Sequence, residues 1–171
     1  KILMLTGSKG SGKSTLINHL LFSIFDEKNY NSNQLSLLES SILFKQFTNN
    51  IFQNILYIHG TNFKSVKVED IRNLKSIIFQ SCINKKERFI IFDDIELFNT
   101  NSLNALLKII EEPDKNNYFI FINNKTKPLI DTIRSISIEF KIILSEKNRI
   151  SIIEKIVKFY DIKTILDPAS S

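Results

Sequence analysis

The sequence predicts a three-layer α/β domain in which helices cover both faces of a parallel sheet. Short, uninterrupted apolar runs alternate along the chain with segments whose apolar residues have helical spacing, which is the pattern of consecutive strand-helix units. One run leads into a glycine-rich loop, and two others end in pairs of polar residues. With 171 residues, the chain is long enough to bury a sizeable core in one domain and short for two.

Individual elements follow from the apolar periodicity. The predicted strands are 2–5, 55–58, 89–92, 118–122 and 138–144, and the predicted helices begin at residue 13 and then span 70–82, 102–112 and 149–160. In the first helix we expect an apolar face formed by Leu16, Ile17, Leu20, Leu21 and Ile24. Residues 29–33 are polar and predict a loop, whereas 35–52 combine helical spacing with many Ser and Asn residues.

Composition excludes several classes of protein. Hydrophobic residues make up 43% and charged residues 24% of the chain, as in ordinary globular domains. No apolar run approaches the ~20 residues that span a bilayer, so we expect a cytoplasmic protein without a membrane segment. The single cysteine, Cys82, permits neither an internal disulfide nor a cysteine-built zinc site, and we expect a small buried side chain there.

Charge and chain ends give two further expectations. The formal net charge of +5 favours anionic partners, and it permits nucleic acid as a partner without demonstrating it. The chain opens with Lys1 inside an apolar run and closes on a polar tail, residues 167–171. These ends predict that the sequence is a fragment of a longer protein.

The glycine-rich loop after the first strand matches the phosphate-binding pattern G-x-x-x-x-G-K-[ST] at every fixed position. In such a loop the backbone N–H groups converge on phosphate oxygens, Lys13 reaches the outer phosphates and the Ser14 hydroxyl ligates Mg²⁺. An ordinary Gly/Ser turn is the alternative, but three of the chain's four glycines lie here, between an apolar strand and an amphipathic helix. The predicted nucleotide-binding residues are Gly7, Ser8, Lys9, Gly10, Ser11, Gly12, Lys13, Ser14 and Thr15.

Polar pairs at two strand ends complete the predicted site, because ligands of parallel sheets bind at the carboxyl ends of the strands. Asp93 and Asp94 end one apolar strand, where Asp93 would hold Mg²⁺ and Asp94 would take the catalytic position. A helix N-cap or a solvated turn is the alternative for these acids. Asn123 and Asn124 end another strand and would hold the attacking water or the γ-phosphate, although a simple turn also suits them.

Three segments resemble the clamp-loader family of AAA+ subunits. The run 101–113 is similar to that family's N-A-L-L-K-x-x-E-E-P signature, 68–74 is similar to its V-D-x-I-R-x-L helix start, and 132–135 lies where the family leads into a Ser-Arg-Cys arginine-finger motif. The resemblance implies a P-loop NTPase (AAA+) core over residues 1–144, truncated at its N-terminus, and the start of a small helical lid domain over 145–171. It also implies ATP and Mg²⁺ as cofactors.

The resemblance further implies a set of partners. The family's subunits form a hetero-pentameric ring, here with gamma/tau and delta subunits, that opens the sliding clamp and loads it onto primer-template DNA. Within the family, the pair Asp93-Asp94 is more similar to delta prime subunits than to the gamma/tau motor subunits, which carry Asp-Glu. Glu111 and Glu112 lie at a helix C-terminus, where negative charge costs ~0.3–1 kcal/mol, so they are either a subunit contact or two solvated acids.

Three departures from the family pattern predict weak hydrolysis and no zinc. Ile136 occupies the arginine-finger position and Ser137 the following Cys position, while Arg134 lies two residues away. An arginine finger supplies about 10³ to 10⁵ in rate. Asp94 replaces the catalytic glutamate and is one methylene shorter, and Glu96 is displaced from that position. The four-cysteine zinc module of the family cannot form with one cysteine.

The leading functional prediction is therefore a clamp-loader subunit that binds ATP and acts mainly as a scaffold of the ring. An active AAA+ motor subunit, of the gamma/tau or replication factor C-like type, is the first alternative. A P-loop small-molecule kinase is the second, although a kinase has no use for the signature in 101–113.

Overall fold

A computed structural model of the chain describes residues 2–49, 51–63, 68–79, 87–111 and 116–159. The strands are β1 (Ile2–Thr6), β2 (Tyr30–Asn31), β3 (Ser36–Leu37), β4 (Ile55–His59), β5 (Arg88–Asp93), β6 (Asn117–Asn123) and β7 (Ser137–Lys141). The α-helices are α1 (Lys13–Phe25), α2 (Ile42–Thr48), α3 (Val68–Phe79), α4 (Thr100–Glu111), α5 (Asp131–Ile136) and α6 (Glu146–Phe159). Short 3₁₀ turns follow β4 and β5.

Five strands form one parallel sheet in the order β4-β5-β6-β1-β7. Thr6, at the end of β1, is paired with Asn123 on one side and Lys141 on the other, and His59 is paired with Asp93. The carboxyl ends of β5, β6 and β1 therefore lie side by side at one edge. This arrangement confirms the predicted parallel sheet and the predicted meeting of its strand ends.

Helices cover both faces of the sheet because the strands are apolar on both sides. Successive strand residues face opposite ways, so Met4 joins a core with Phe121 and with Ile133 of α5, whereas Leu5 joins a second core with Ile17 of α1. Helices α3, α4 and α5 contribute to the first core and α1 to the second. Full burial of each such side chain contributes about 1.5–3 kcal/mol, and the result is the predicted three-layer arrangement.

Helix α4 illustrates how the sequence specifies an element. Leu103, Leu106, Leu107 and Ile110 are all buried and recur at the spacing that places residues on one side of a helix. At the N-terminal end, the Asn99 side-chain oxygen accepts hydrogen bonds from the Ser102 backbone N–H at 2.8 Å and from the Ser102 hydroxyl at 3.0 Å. Capping and periodicity thus agree on this helix, which begins at Thr100, two residues before the predicted start at 102.

The apolar face predicted for α1 is only partly buried. Ile17 and Leu21 are 1% and 0% exposed, whereas Leu16, Leu20 and Ile24 retain 51%, 41% and 47% of their accessible surface. Adjacent helix positions differ by about 100° in direction, so the residues that precede Ile17 and Leu21 point away from the sheet. The five side chains therefore do not form one core-facing stripe.

Two regions differ from the prediction in secondary structure. β2 and β3 form a small antiparallel hairpin where a loop was predicted over 29–33, and the Asn31 side chain helps to fold it by accepting the Asn33 and Gln34 backbone N–H groups. Helix α2 replaces part of the ambiguous segment 35–52. β7 ends at Lys141 rather than at 144 because its neighbour β1 ends at the paired residue Thr6.

Some expectations concern residues outside the described ranges. They are the buried Cys82, the pair Glu112-Pro113 at the predicted end of α4, and the tail 167–171. Within the described ranges, none of the helices is long and apolar enough to cross a membrane.

Candidate functional site

The glycine-rich loop between β1 and α1 has the backbone that a phosphate cradle needs. Gly10 and Gly12 have φ angles of 80° and 86°, in the left-handed region where side chains are disfavoured. Gly7 donates its N–H to the Asn123 carbonyl oxygen at 3.1 Å, and a Cβ at Gly7 would overlap the Ile142 carbonyl oxygen. These three glycines are therefore required by the fold of the loop, and they position it at the ends of β1 and β6.

Lys13 lies inside the curl of this loop. Its Nζ donates to the carbonyl oxygens of Gly7 and Ser8 at 2.9 and 2.8 Å and to the Ser11 hydroxyl at 3.2 Å, and the residue is 3% exposed. Burial lowers the pKa of Lys13, and nearby carboxylates, Asp93 foremost, oppose that change. The loop thus holds the ammonium group through hydrogen bonds, and the acids at the end of β5 act on it electrostatically.

The two aspartates at the end of β5 form a hydrogen-bonded cluster with Asn124. The Asn124 side-chain amide donates to Asp94 Oδ1 at 2.7 Å and to Asp93 Oδ1 at 3.2 Å, and the Asp94 backbone N–H donates to Asp93 Oδ1 at 2.9 Å. Burial raises the pKa of Asp93, and the hydrogen bond from the Asp94 N–H opposes that rise. Asp94 has a φ angle of 53°, an uncommon conformation for a residue with a side chain.

Glu96 holds the loop that follows β6. Its carboxylate accepts the Asn124 backbone N–H at 3.1 and 3.2 Å, the Thr126 backbone N–H at 3.2 Å and the Thr126 hydroxyl at 2.8 Å. The residue is 5% exposed, so these bonds replace the hydrogen bonds to water that a carboxylate gives up on burial. The Glu96 carboxylate is therefore occupied by hydrogen bonds that hold the loop, and it is not available to take the place of a catalytic glutamate.

A cavity of about 620 Å³ opens beside the loop, between α1 and the ends of β4 and β5. Ser14, Asp93, Tyr57 and His59 line it, together with aromatic side chains near α2. Burial raises the pKa of the Tyr57 hydroxyl, against the influence of the Ser14 hydroxyl. His59 Nδ1 lies 3.9 Å from Asp93 Oδ2. The hydroxyl and the carboxylate predicted as metal ligands thus face one space.

The predicted nucleotide-binding residues lie along the loop and the first turn of α1, and they differ in burial. Ser8, Lys9, Gly10, Gly12 and Thr15 are exposed, Gly7 and Lys13 are buried, and Ser11 and Ser14 are half-buried. The two asparagines also differ. Asn124 contacts both aspartates, whereas the Asn123 side chain accepts the Lys125 backbone N–H at 2.9 Å. The structure thus brings Asn124 to the acids and uses Asn123 in a turn.

The residues near the arginine-finger position lie away from this cluster. Ile136 is the last residue of α5 and is 36% exposed, and Arg134 is exposed on the same helix. Arg134 lines a separate basic pocket with Lys125, Lys127 and Lys141. Glu111, at the end of α4, is exposed.

Sequence reasoning missed the role of Gly60. A Cβ at this position would overlap the Asp94 carbonyl oxygen and approach the Asp93 carbonyl oxygen to 3.0 Å. The only signal was that Gly60, the one glycine outside the loop, directly follows the strand paired with β5. Nothing in the sequence indicated that Glu96 binds the loop after β6 or that Tyr57 lines the cavity.

Residues 1–156 match the protein family described as DNA polymerase III, delta subunit. The chain belongs to this family. Among curated relatives, it is 27% identical over 165 residues to DNA polymerase III subunit gamma of Buchnera aphidicola subsp. Acyrthosiphon pisum, covering 96% of the chain and 43% of the relative. It is 36% identical over 72 residues to subunit delta' of Buchnera aphidicola subsp. Baizongia pistaciae, covering 42% of the chain and 21% of the relative. The chain thus spans less than half of these relatives' length.

Solved structures confirm the AAA+ fold expected for this family. A gamma subunit-related protein from Thermotoga maritima superposes with a TM-score of 0.60 at 17% identity, covering 94% of the chain and 47% of that protein. The AAA domain of FIGL-1, solved with ADP, superposes with a TM-score of 0.53 at 18% identity, covering 93% and 49%. At such identities the likeness shows the fold alone. The chain is accordingly a member of the DNA polymerase III clamp-loader family with an AAA+ core.

Proposed function

We propose that the chain is the nucleotide-binding core of a clamp-loader subunit of the delta prime type, which binds Mg²⁺-ATP and hydrolyses it slowly. The observation that carries the proposal is the convergence of three predicted ligands. Ser14 and Asp93 line the same cavity, and the Asp93 carboxylate is close enough to Lys13 to influence its pKa.

The residues present fit such a nucleotide. The loop glycines allow the backbone N–H groups to point at phosphate oxygens, and Lys13 would exchange the carbonyl oxygens of Gly7 and Ser8 for phosphate oxygens. Ser14 and Asp93 would hold Mg²⁺, which neutralises charge on the phosphates when bound. Asn124 would orient the Asp93 carboxylate through the bond that already links them.

Slow hydrolysis is supported by what the other acids do. Asp94 is shorter than glutamate and receives the Asn124 amide at 2.7 Å, while Glu96 is fully used by the loop of Asn124 and Thr126. At the finger position, Ile136 has no charge to present to a neighbouring nucleotide. Binding elements are thus retained, whereas elements that stabilise the transition state are weakened.

An active motor subunit remains a second candidate, because the gamma relative covers 96% of the chain and the delta' relative only 42%. Turnover distinguishes the two subunit types. The small-molecule kinase considered from the loop alone is not proposed, because family membership covers residues 1–156.

The proposal includes the wider assembly. Residues 1–144 would form the core and 145–171 the start of the lid domain, of which α6 would be the first helix. The partners would be gamma/tau and delta subunits in a five-membered ring, the sliding clamp and primer-template DNA. Family membership supports these partners, and the chain covers only part of its relatives.

Nucleotide binding is tested by calorimetry with Mg²⁺-ATP on Lys13→Ala and on the matched control Lys155→Ala. Lys13 is buried against the loop, whereas Lys155 is exposed on α6. We expect Lys13→Ala to abolish measurable binding and Lys155→Ala to leave the affinity within about threefold, a free-energy change of ~0.7 kcal/mol. Equal affinities for Lys13→Ala and the parent would refute the assignment.

The subunit type is tested by ATPase measurements on the ring reconstituted with full-length partners. Ile136→Arg should increase hydrolysis at the adjacent motor site if the position faces it, because it would supply the missing cation. If Arg134→Ala instead removes stimulation already present with the parent subunit, Arg134 acts as the finger and our interpretation of Ile136 is wrong. High turnover by the isolated chain would favour the motor candidate.

A further inference from the structure

A second pocket lies at the same edge of the sheet and is strongly basic. It has a volume of about 550 Å³ and lies among the ends of β1 and β7, the loop after β6, and α5. Its cationic side chains are Lys125, Lys127, Arg134 and Lys141, and Glu139 is the one acid among the described residues that line it. The pocket therefore carries a local excess of positive charge.

This pocket shares no lining residue with the nucleotide cavity, although its Lys125 is close enough to Lys13 to contribute to the lowering of the Lys13 pKa. Thr6, which lines the pocket, lies two residues after Met4 in β1, so both side chains face the side of the sheet that α5 covers through Ile133. Helix α1 covers the opposite face through Ile17. None of residues 7–14 lines the basic pocket, and Ser14 belongs to the other cavity. The two sites thus open on opposite faces of the same sheet edge.

The four cations are not neutralised by the protein itself. Across the described ranges, none of their side chains has an ion-pair or hydrogen-bond partner, and Glu139 makes no ion pair with them. Like charges gathered around one pocket repel each other, and an anion relieves this repulsion while gaining charge-assisted hydrogen bonds.

A buried hydroxyl in the pocket also lacks a partner. Thr6 is 2% exposed, and its Oγ1 has no hydrogen-bond partner in the described part of the chain. Leaving a buried hydroxyl unsatisfied is unfavourable, because the group has lost its hydrogen bonds to water without gaining others. A ligand oxygen that accepts a hydrogen bond from this hydroxyl would remove that cost.

The loop that presents two of the lysines is rigidly held. Lys125 has a φ angle of 57°, and its N–H is bound by the Asn123 side chain. Glu96 binds Thr126 at both its N–H and its hydroxyl. Lys125 and Lys127, on either side of Thr126, are therefore held on an ordered backbone, so less entropy is lost when an anion binds.

We propose that this pocket binds a phosphate group, at a site independent of the nucleotide loop. The ligand is recognised by cations from three elements and by the Thr6 hydroxyl, a set suited to a multiply charged oxyanion. The phosphate is carried either by a small molecule or by a nucleic-acid backbone. Both sources present the same chemistry to the pocket.

The test uses the full chain with Lys13→Ala, which disables the nucleotide loop, as the background. The pair Lys127→Glu and Lys141→Glu reverses charge in the pocket, and the pair Lys147→Glu and Lys155→Glu on α6 makes the same change in net charge elsewhere. Inorganic phosphate is titrated by thermal shift, and labelled duplex DNA with a single-stranded overhang is titrated by fluorescence anisotropy over a range of salt concentrations.

We expect phosphate to stabilise the Lys13→Ala background. The pocket pair should raise the phosphate concentration at the midpoint of this stabilisation at least ~tenfold, whereas the α6 pair should change it by less than about twofold. If DNA supplies the phosphate, the pocket pair also lowers the slope of log affinity against log salt by about 0.9, the value for one DNA phosphate that is no longer neutralised. If the protein binds DNA but the pocket pair leaves the salt dependence of that binding unchanged, the pocket binds the phosphate of a small molecule and not that of DNA.

The proposal is overturned if the pocket pair and the α6 pair respond alike to both probes, or if Lys13→Ala alone abolishes the phosphate effect. Thr6→Val, which removes the hydroxyl at nearly constant shape, gives a second measurement: a weaker phosphate response supports the proposal and an unchanged response contradicts the role of Thr6. Since ATP binding is already lost in this background, failure here is distinct from failure of the proposed nucleotide function.

Discussion

Removal of the Glu96 carboxylate should loosen the loop that carries Asn124. Three donors end on this carboxylate: the backbone N–H groups of Asn124 and Thr126, and the Thr126 hydroxyl. A hydrogen bond to a charged group contributes about 1.5–3 kcal/mol, but Asn124 is half-buried and Thr126 is exposed. Water can therefore replace part of each bond, and for Glu96→Ala we expect a net loss of about 2–4 kcal/mol in the free energy of unfolding.

The measurement is thermal unfolding followed by circular dichroism. For a domain of this size, 1 kcal/mol corresponds to roughly 2–4 °C in Tm, so Glu96→Ala should lower Tm by about 5–15 °C. In Glu96→Gln the amide oxygen can take the place of Oε1, which accepts from all three donors, so the variant loses the charge and the second contact with the Asn124 N–H. It should lose about half as much stability as Glu96→Ala. Glu154→Ala, at an exposed position of α6, is the matched control and should change Tm by less than about 1–2 °C.

The reasoning fails if Glu96→Ala unfolds within about 1 °C of the parent. It also fails if Glu96→Gln is as destabilised as Glu96→Ala, because the loss would then come from charge alone and not from the geometry of the accepted bonds.

Three other changes test the acid cluster. Burial raises the pKa of Asp93 above the ordinary 3.8, so the stability that protonated Asp93 contributes is present below pH 3.8 and is lost as pH rises through the folded pKa. In a pH series, Asp93→Asn should therefore have a higher Tm than the parent at pH 7 and lose this advantage near pH 4. A lower Tm of Asp93→Asn at pH 7 would contradict the argument. The Asn124 bond lowers the pKa of Asp93, so Asn124→Ala should raise the Asp93 midpoint in a carboxyl ¹³C NMR titration, and an unchanged midpoint would count against it. Gly60→Ala, which overlaps the Asp94 carbonyl oxygen, should cost about 1–3 kcal/mol by chemical denaturation, with Thr61→Ala as the near-neutral control.

The parts of the fold that the sequence predicts well are those set by local pattern. The strand before Gly7 and the strand before Asp93 are uninterrupted apolar runs, and their burial on both faces leaves a parallel sheet as the natural arrangement. The rule that ligands bind at the carboxyl ends of such strands then places Asp93 near the pair Asn123-Asn124. Both inferences use only the apolar pattern of each strand and the residues that directly follow it, so they need no knowledge of side-chain contacts between distant segments.

The parts that could not be predicted depend on contacts between distant segments. Glu96 accepts hydrogen bonds from residues 28 and 30 positions away, and nothing in its neighbourhood distinguishes it from a solvated acid. The turn that follows β6 determines whether Asn123 or Asn124 faces the two aspartates, and the sequence does not specify the conformation of that turn. The exposure of Leu16 depends on how α1 is rotated over the sheet, which the apolar spacing alone leaves open.

The carboxylates at this edge of the sheet differ in their hydrogen bonds in a way that supports the proposed binding of nucleotide without rapid turnover. Asp93 faces the cavity with Ser14 and is available to a metal ion, while Glu96 is occupied by the loop that positions Asn124. Asp94 would have to orient water, yet it is 8% exposed and receives the Asn124 amide. Because one asparagine side chain bonds both aspartates, any shift of Asp94 toward a water molecule also disturbs Asp93. In the proposed function, hydrolysis would therefore weaken the hydrogen bond that supports Asp93 as a metal ligand, whereas nucleotide binding would require neither aspartate to move.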